Sequence, residues 1–465
     1  MATRQLMNPK LITLALFLFT VQLGSAQEEE ESKSQRSLLG YDLIYIDAPL
    51  AIQPNIDPVF EPIPDSALVQ AENFIGPEDD PEFMARLDSI REYASALEQI
   101  ESESGIWSPI LIEELSALGD LQQQLGSHAD AIDSFDRAIH VNRINDGLHT
   151  LSQIPTVEKL IESYLALGEW EQADLYYNYL FYIQQKTYGP NDPRLILVLD
   201  RVASWNIQAF NIGFGESLGL RLSTAQILYS AASRMVGVHF GKSDERFVSY
   251  LKSLANSAYL VAIHPELMQE LARVEYRNDR SILLGKLDVR GAVIPLGFRV
   301  GERALMDIAS VYAGEEDSIY EFAEAVAEIG DWYLLFARRN LAYERYQQAW
   351  TILQELENGS ELIDQLFGQV AALPTFSNSV DGLVSNLVPS GKNEPVNADF
   401  ADVSLDVTTN GVVRNLELLT ERTPQSMPLL SRLLRKVRNS NFRPVIVDGK
   451  PVRSNGLHFR YRYWY

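Results

Sequence analysis

The chain has 465 residues, 46% hydrophobic and 22% charged, enough for two or three domains with genuine cores. Its formal net charge of −24 argues against a general nucleic-acid binder, because neutralising phosphates takes clustered Lys and Arg. With no cysteine, disulfides, thiolate metal sites, a thiol nucleophile and lipidation through an N-terminal Cys are excluded.

Residues 1–26 read as a secretory signal peptide. Arg4 and Lys10 precede an apolar run from Leu11 to Leu23, and Gly24-Ser25-Ala26 supplies small residues for cleavage after Ala26. That run is shorter than the ~20 apolar residues a membrane-spanning helix needs. An uncleaved inner-membrane anchor is the alternative, and only then would the protein contact a membrane. Residues 27–80 form an acidic, proline-containing lead-in, extended or disordered, starting with Glu28 to Glu31 and interrupted by Pro54, Pro58, Pro62, Pro64 and Pro77. Within it, Leu43 to Ile46 is apolar enough to add a strand or dock on a neighbour.

Residues 81–362 change to helical spacing. Phe83, Leu87, Ile90, Tyr93, Ala94, Leu97 and Ile100 fall on one helix face. Then come Leu118-Gly119, Gly126, Ala131, Phe135 and Ala138. A second set places Leu160, Tyr164, Gly168, Ala173 and Tyr177 at matching offsets, and a late set has Ile329-Gly330, Tyr333, Ala342, Tyr346 and Ala349. These spacings resemble the tetratricopeptide repeat (TPR), a helix–turn–helix unit that stacks into a solenoid. The resemblance implies that Gly119 lets the second helix approach, that Gly126 lies in the turn, that Ala131 sits at the closest helix contact, and that Phe135 fills the gap to the next repeat.

The middle carries a duplication. Ala173, Tyr177 and Tyr188-Gly189-Pro190-Asn191-Asp192-Pro193-Arg194 recur 52 positions later as Ala225, Tyr229 and Phe240-Gly241-Lys242-Ser243-Asp244-Glu245-Arg246. The long second helix followed by this break resembles the extended repeats of kinesin-light-chain-like proteins. Asn206 to Leu222 and Asp288 to Val300 depart from the pattern and are expected to be insertions. Residues 363–400, rich in Pro, Ser and Gly, are expected to be a linker.

Residues 401–465 are built differently, and carry 11 Lys/Arg against 5 Asp/Glu, so this part is +6 and the remainder −30. Alternating apolar residues flank the turn Asn410-Gly411, a basic amphipathic helix covers Met427 to Val437, and a second turn at Asp448-Gly449 precedes a closing aromatic strand. The predicted unit is a small α+β domain of order ββαββ, so the whole chain is mainly α with an α+β end. Asn410-Gly411, Phe442-Arg443-Pro444, Asp448-Gly449 and the strand containing Phe459 and Tyr461 resemble the C-terminal domain of the TonB energy-transducer family. The resemblance implies a periplasmic domain, in a Gram-negative bacterium, that pairs a strand with short motifs of outer-membrane proteins. The family's proline-rich spacer is replaced here by helical repeats, and the leader lacks histidine, which argues against energy transduction.

Chemistry-bearing motifs are sparse. Gly215-Glu216-Ser217-Leu218-Gly219 fits the Gly-x-Ser-x-Gly pattern of a hydrolase nucleophile, which requires a strand before Ser217 and a helix after it; the repeat pattern offers no such strand. Gly237 to Ser243 is one residue too short for a phosphate loop. The six histidines show no metal-ligand spacing. Arg460 and Arg462 alternate with Phe459, Tyr461 and Tyr463, as expected of a strand with one packed face and one wet face. No catalytic, cofactor or metal residue is assigned. The expectation is a non-enzymatic scaffold of the cell envelope that binds a protein or peptide through its repeats and by strand addition at its tail. A TonB-like energy transducer with an uncleaved anchor and a hydrolase using Ser217 are the alternatives.

Overall fold

The computed structural model describes residues 45–46, 81–288, 297–314, 316–375, 398–421 and 426–464. The expected signal peptide and nearly all of the lead-in lie outside them.

Among the described residues, a long helix, α1 (Pro81–Ser104), leads into five helix pairs. They are α2 (Leu111–Gln124) with α3 (His128–Asp146), α4 (Ile154–Leu167) with α5 (Trp170–Tyr188), and α6 (Ile196–Ile212) with α7 (Leu218–His239). The fourth couples α8 (Glu245–Ile263) with α11 (Phe298–Tyr312), and the fifth α12 (Ile319–Leu335) with α13 (Arg339–Gln354). Consecutive helices pack against each other throughout, which gives a TPR-type solenoid.

The turn inside four of these pairs is closed the same way. Two successive backbone N–H groups reach back to the last carbonyls of the first helix, for example Gly168 to Leu165 (3.1 Å) and Glu169 to Tyr164 (2.9 Å). Gly126, Gly213 and Ala337 begin the equivalent caps. The cap needs a left-handed residue, and Ala337 takes it at φ 58° where the other pairs use glycine. A Cβ at Gly119 would lie 2.5 Å from the Phe135 ring, so only glycine lets α2 and α3 pack this closely. Ala131, Phe135, Ala138, Leu160, Ala173, Ala225, Ala342 and Ala349 are all completely buried, and Leu118, Tyr164 and Tyr229 nearly so. Phe135 lies over its own pair's Gly119 and shares a buried cluster with Val157 and Leu160 of the next pair. Tyr177 is half-buried and stacks on Trp205 at 5.3 Å.

The 52-residue duplication is reproduced atom for atom at its break. Asp192 accepts from the Arg194 backbone and guanidinium, and the guanidinium carbon lies 4.0 Å from the Tyr188 ring centre. Asp244, Arg246 and Phe240 repeat the arrangement at 4.3 Å.

Several boundaries differ from the sequence reading. Asn206 to Leu222 is not an insertion: it is the end of α6, a capped turn and the start of α7, with Asn206, Ser217, Leu218, Gly219 and Leu222 buried. Of Asp288 to Val300, residues 289–296 lie outside the described residues and Phe298 already starts α11. The real departure precedes it. Helices α9 (Pro265–Glu270) and α10 (Val274–Lys286) interrupt the fourth pair and fold back on α7, where a Cβ at Gly219 would meet the Leu267 carbonyl at 2.7 Å. The helical part also runs past 362 through α14 (Gly359–Phe367). The expected linker is therefore ordered at its start, where a two-residue strand, β2 (Ala371–Ala372), follows; residues 376–397 lie outside the description.

The tail forms strands β3 (Ala398–Val407) and β4 (Val413–Leu418), helix α15 (Met427–Asn439), short strands β5 (Phe442–Arg443), β6 (Val445–Val447) and β7 (Lys450–Val452), and the long β8 (Ser454–Trp464). The main antiparallel sheet has the order β1–β8–β3–β4, where β1 is Tyr45–Ile46. Alternation puts Ala401, Val403, Leu405, Phe459 and Tyr461 on one face, buried against Leu430, Leu433 and Val437 of α15. Within the expected ββαββ order, the third strand is divided in two. Pro444 has no N–H to give a ladder, so the segment splits: β5 pairs with β2, and β6 makes a separate hairpin with β7. The turns at Asn410-Gly411 and Asp448-Gly449 are where the sequence puts them, with positive φ at Gly411, Asp448 and Gly449.

Candidate partner-binding groove and the domain junction

The first helices of the pairs are tied side to side by polar contacts. Ser116 of α2 meets Thr156 of α4 at 3.2 Å, and Gln123 donates to the Lys159 carbonyl and Ser163, both at 3.0 Å. Glu158 of α4 pairs with Arg201 of α6, and Lys252 of α8 with Glu328 of α12 at 2.9 Å. These contacts make a polar seam along the layer of first helices. Burial raises the carboxyl of Asp120, against the pull of Lys159, and burial also raises that of Asp200.

Charge is divided unevenly between the two layers. The five first helices contain 11 Asp/Glu against 4 Lys/Arg, whereas the five second helices contain 9 of each. Taken together the first helices are therefore acidic and the second helices neutral.

At the C-terminal end the tail domain docks on the last pair. Arg443 of β5 and Asp331 of α12 are both buried, and the guanidinium meets the carboxylate through Nε–Oδ1 at 2.8 Å and Nη2–Oδ2 at 2.5 Å. Tyr346 of α13 donates to Asp331 Oδ1 at 2.8 Å, Thr375 donates to Oδ2 at 2.6 Å, and Arg443 Nη1 reaches the Leu366 carbonyl at 3.3 Å. Burial would lower Arg443, but Asp331 outweighs it and raises the guanidinium above the ordinary arginine range. Tyr346 is pushed up by burial and by the carboxylate beside it. A buried pair survives only when its lone pairs and protons are satisfied this fully.

Four of the nine tail residues singled out in the sequence, Asn410, Gly411, Arg443 and Gly449, lie against the repeats. Asn410 accepts from the Tyr343 hydroxyl at 2.6 Å, Gly411 lies against Leu334, and Gly449 faces Gln347 and Trp350. Pro444 is buried, Asp448 is exposed in its turn, and Phe442, Phe459 and Tyr461 belong to the tail's own core. In the repeats, Tyr333 donates to Glu302 at 2.9 Å, and a Cβ at Gly330 would lie 2.5 Å from the Tyr346 ring. The sequence reading did not single out Asp331, Tyr343 or Glu328. A signal was present: Glu328 and Asp331 interrupt the apolar run from Ala325 to Leu335, where a carboxylate needs a partner.

Ser217 is an N-cap. Helix α6 rather than a strand precedes it, its Oγ accepts from the Leu220 N–H at 3.1 Å, and it is buried, so the Gly-x-Ser-x-Gly pattern is structural here. Gly237 lies inside α7, and Gly241 follows that helix with φ 94°. Among the described residues no group of His, Asp and Glu is placed to hold a metal, and no helix is long and apolar enough to cross a membrane. Arg460 pairs with Asp402 on β3 at 2.7 Å.

No protein-family model and no curated protein matches the chain. Among solved structures it is similar to BtubC (BKLC) from P. vanneervenii, at 13% identity over 59% of this chain and 91% of that one, with a TM-score of 0.34. It is likewise similar to a kinesin light chain of Podosopora anserina with nearly identical TPR-like repeats, at 13% identity over 53% and 96% of the two chains and a TM-score of 0.34. Superposition at this level carries no argument about this chain, and the repeat assignment rests on the helix pairs, caps and glycine contacts above.

Proposed function

We propose that the protein is a non-enzymatic interaction scaffold, exported to the periplasm after cleavage of residues 1–26. It holds a protein or peptide partner in the groove of the first helices, and its tail domain accepts a strand in the manner of the TonB C-terminal domain that it resembles. The observation that carries this reading is the buried Arg443–Asp331 pair, which ties the acidic first helix of the last pair to the small strand-rich domain. The sheet's readiness to take a strand is supported by β1, which pairs antiparallel with the end of β8, Tyr45 opposite Trp464 and Ile46 opposite Tyr463.

Photo-cross-linkers placed at exposed Glu162 in the groove, at exposed Arg414 on edge strand β4 and at exposed Leu175 on a second helix test the reading in envelope extracts. Capture of a partner from Glu162 and Arg414 but not from Leu175 is expected. Capture from Leu175 alone would remove the groove. Mass spectrometry of the mature protein is expected to find Gln27 at its N-terminus; a retained leader would move the balance to an anchored energy transducer.

A further inference from the structure

We propose that the groove's partner is an extended polypeptide segment bearing basic side chains, one Lys or Arg of which enters a cavity at the C-terminal end of the groove. This rests on the scaffold reading above and specifies its partner. The cavity, of about 390 Å³, is walled by Lys252 of α8, Tyr320, Glu324 and Glu328 of α12, Gln365 of α14, and Arg443 of the tail. Its volume falls in the ~300–1,000 Å³ range of small-ligand sites. Tyr320, Glu324 and Glu328 recur at four-residue steps, so they line one face of α12, and that helix belongs to the groove layer.

The charges decide what fits. Arg443 spends both edges of its guanidinium on Asp331 and its remaining nitrogen on the Leu366 carbonyl, so it brings no free positive charge to the wall. Lys252 is matched by Glu328. The lining holds two cations and two carboxylates. With Arg443 committed to Asp331 from outside the cavity and Lys252 to Glu328, half-buried Glu324 is the carboxylate left without an ion pair among the described residues. An anion is repelled there, and an apolar group would strand these polar walls without partners. A guanidinium or ammonium gains a carboxylate, a tyrosine hydroxyl and glutamine carbonyls. Summed over the first helices of the pairs the layer carries 11 Asp/Glu against 4 Lys/Arg, with the excess on α2, α4 and α12. The last of these lines the cavity, and this favours a chain carrying several basic side chains over a single free cation.

Fluorescence anisotropy on the full chain tests this with a labelled Gly/Ser peptide carrying spaced arginines, read at low and physiological ionic strength. The peptide is expected to bind, Glu324→Gln to weaken it about tenfold, equivalent to about 1.4 kcal/mol, and Glu113→Gln at the far end of the groove to weaken it less than about twofold. The same peptide with glutamates in place of the arginines is expected not to bind. Equal losses for Glu324→Gln and Glu113→Gln would reduce the effect to diffuse attraction and overturn the proposed pocket. Free arginine binding as tightly as the peptide would overturn the polypeptide partner. Sedimentation showing that copies associate through the basic tail, blocked by added arginine peptide, would reassign the groove to a second copy and overturn it too. If the arginine peptide fails while the Glu162 cross-linker still captures a partner, this inference falls and the scaffold stands. If both fail, both readings fall.

Discussion

The first and last well-formed repeats use the same packing device and end differently. In the pair α2–α3, Gly119 admits the ring of Phe135, and in the pair α12–α13, Gly330 admits the ring of Tyr346 at the same 2.5 Å. Phe135 ends there, completely buried among apolar neighbours. Tyr346 carries one more oxygen, and that oxygen holds Asp331, which in turn holds Arg443 of the tail. A repeat built for helix stacking thus becomes a docking site for another domain through one hydroxyl and one carboxylate. A solenoid can acquire a terminal partner at a position whose ring contact is already fixed.

The largest effect that breaks this comparison comes from the charges. Asp331→Ala leaves Arg443 buried without its counter-ion and is expected to cost about 3–5 kcal/mol, seen in chemical denaturation together with faster hydrogen exchange in 398–464. Arg443→Ala should do the same from the other side, whereas no charge substitution in the α2–α3 pair is expected to move the tail. Next is a reciprocal swap. Tyr346→Phe removes a hydrogen bond to a charged acceptor and should cost about 1.5–3 kcal/mol, while Phe135→Tyr buries a hydroxyl among apolar neighbours and should cost about 1–3 kcal/mol. Only the first of these should loosen the tail domain in limited proteolysis. Equal loosening by both would mean that the hydroxyl does not distinguish the two repeats.

Gly119→Ala and Gly330→Ala sharpen the shared part of the device. Each pushes a methyl into an aromatic ring and is expected to cost about 1–3 kcal/mol by overpacking, measured as a shift in denaturation midpoint. The smallest effect concerns the duplicated break. Hydrogen bonds from the Arg194 side chain and backbone hold the Asp192 carboxyl down at about 2. Its folded value lies below the unfolded one, so its contribution is present above the ordinary carboxylate range and is lost as pH falls toward 2. The stability difference between the wild type and Asp192→Asn should close over that window, and a carboxyl NMR titration of Asp192 should show the lowered midpoint directly.

Much of the helical architecture is legible in local spacing, because small residues and apolar stripes must recur wherever two helices approach. Gly119, Ala131, Ala173, Gly330 and Ala342 announce their contacts for that reason. The turn at Ala337 shows the limit: the cap geometry is the same as at Gly168, but the residue that signals it is absent. Asn206 to Leu222 misleads in the opposite direction, since its Gly-rich stretch resembles a loop and forms a tight buried corner. The true insertion, α9 and α10, has ordinary helical composition and is distinguishable only by what it packs on.

By itself the sequence determined the clearest periodic parts: the helix pairs around Gly119, Gly168 and Gly330, and that the last 65 residues form a different, basic, strand-rich unit. Only the tertiary structure decided that Arg443 lies against Asp331, 112 positions away, and that Asn410, Gly411 and Gly449 face the last repeat. The physical reason is that stacking and turns depend on neighbours along the chain, whereas a buried ion pair between domains has no period and leaves only a misplaced carboxylate as its trace. The acidic layer of first helices belongs to both, since its charges are written in the helices but collected onto one layer by the fold.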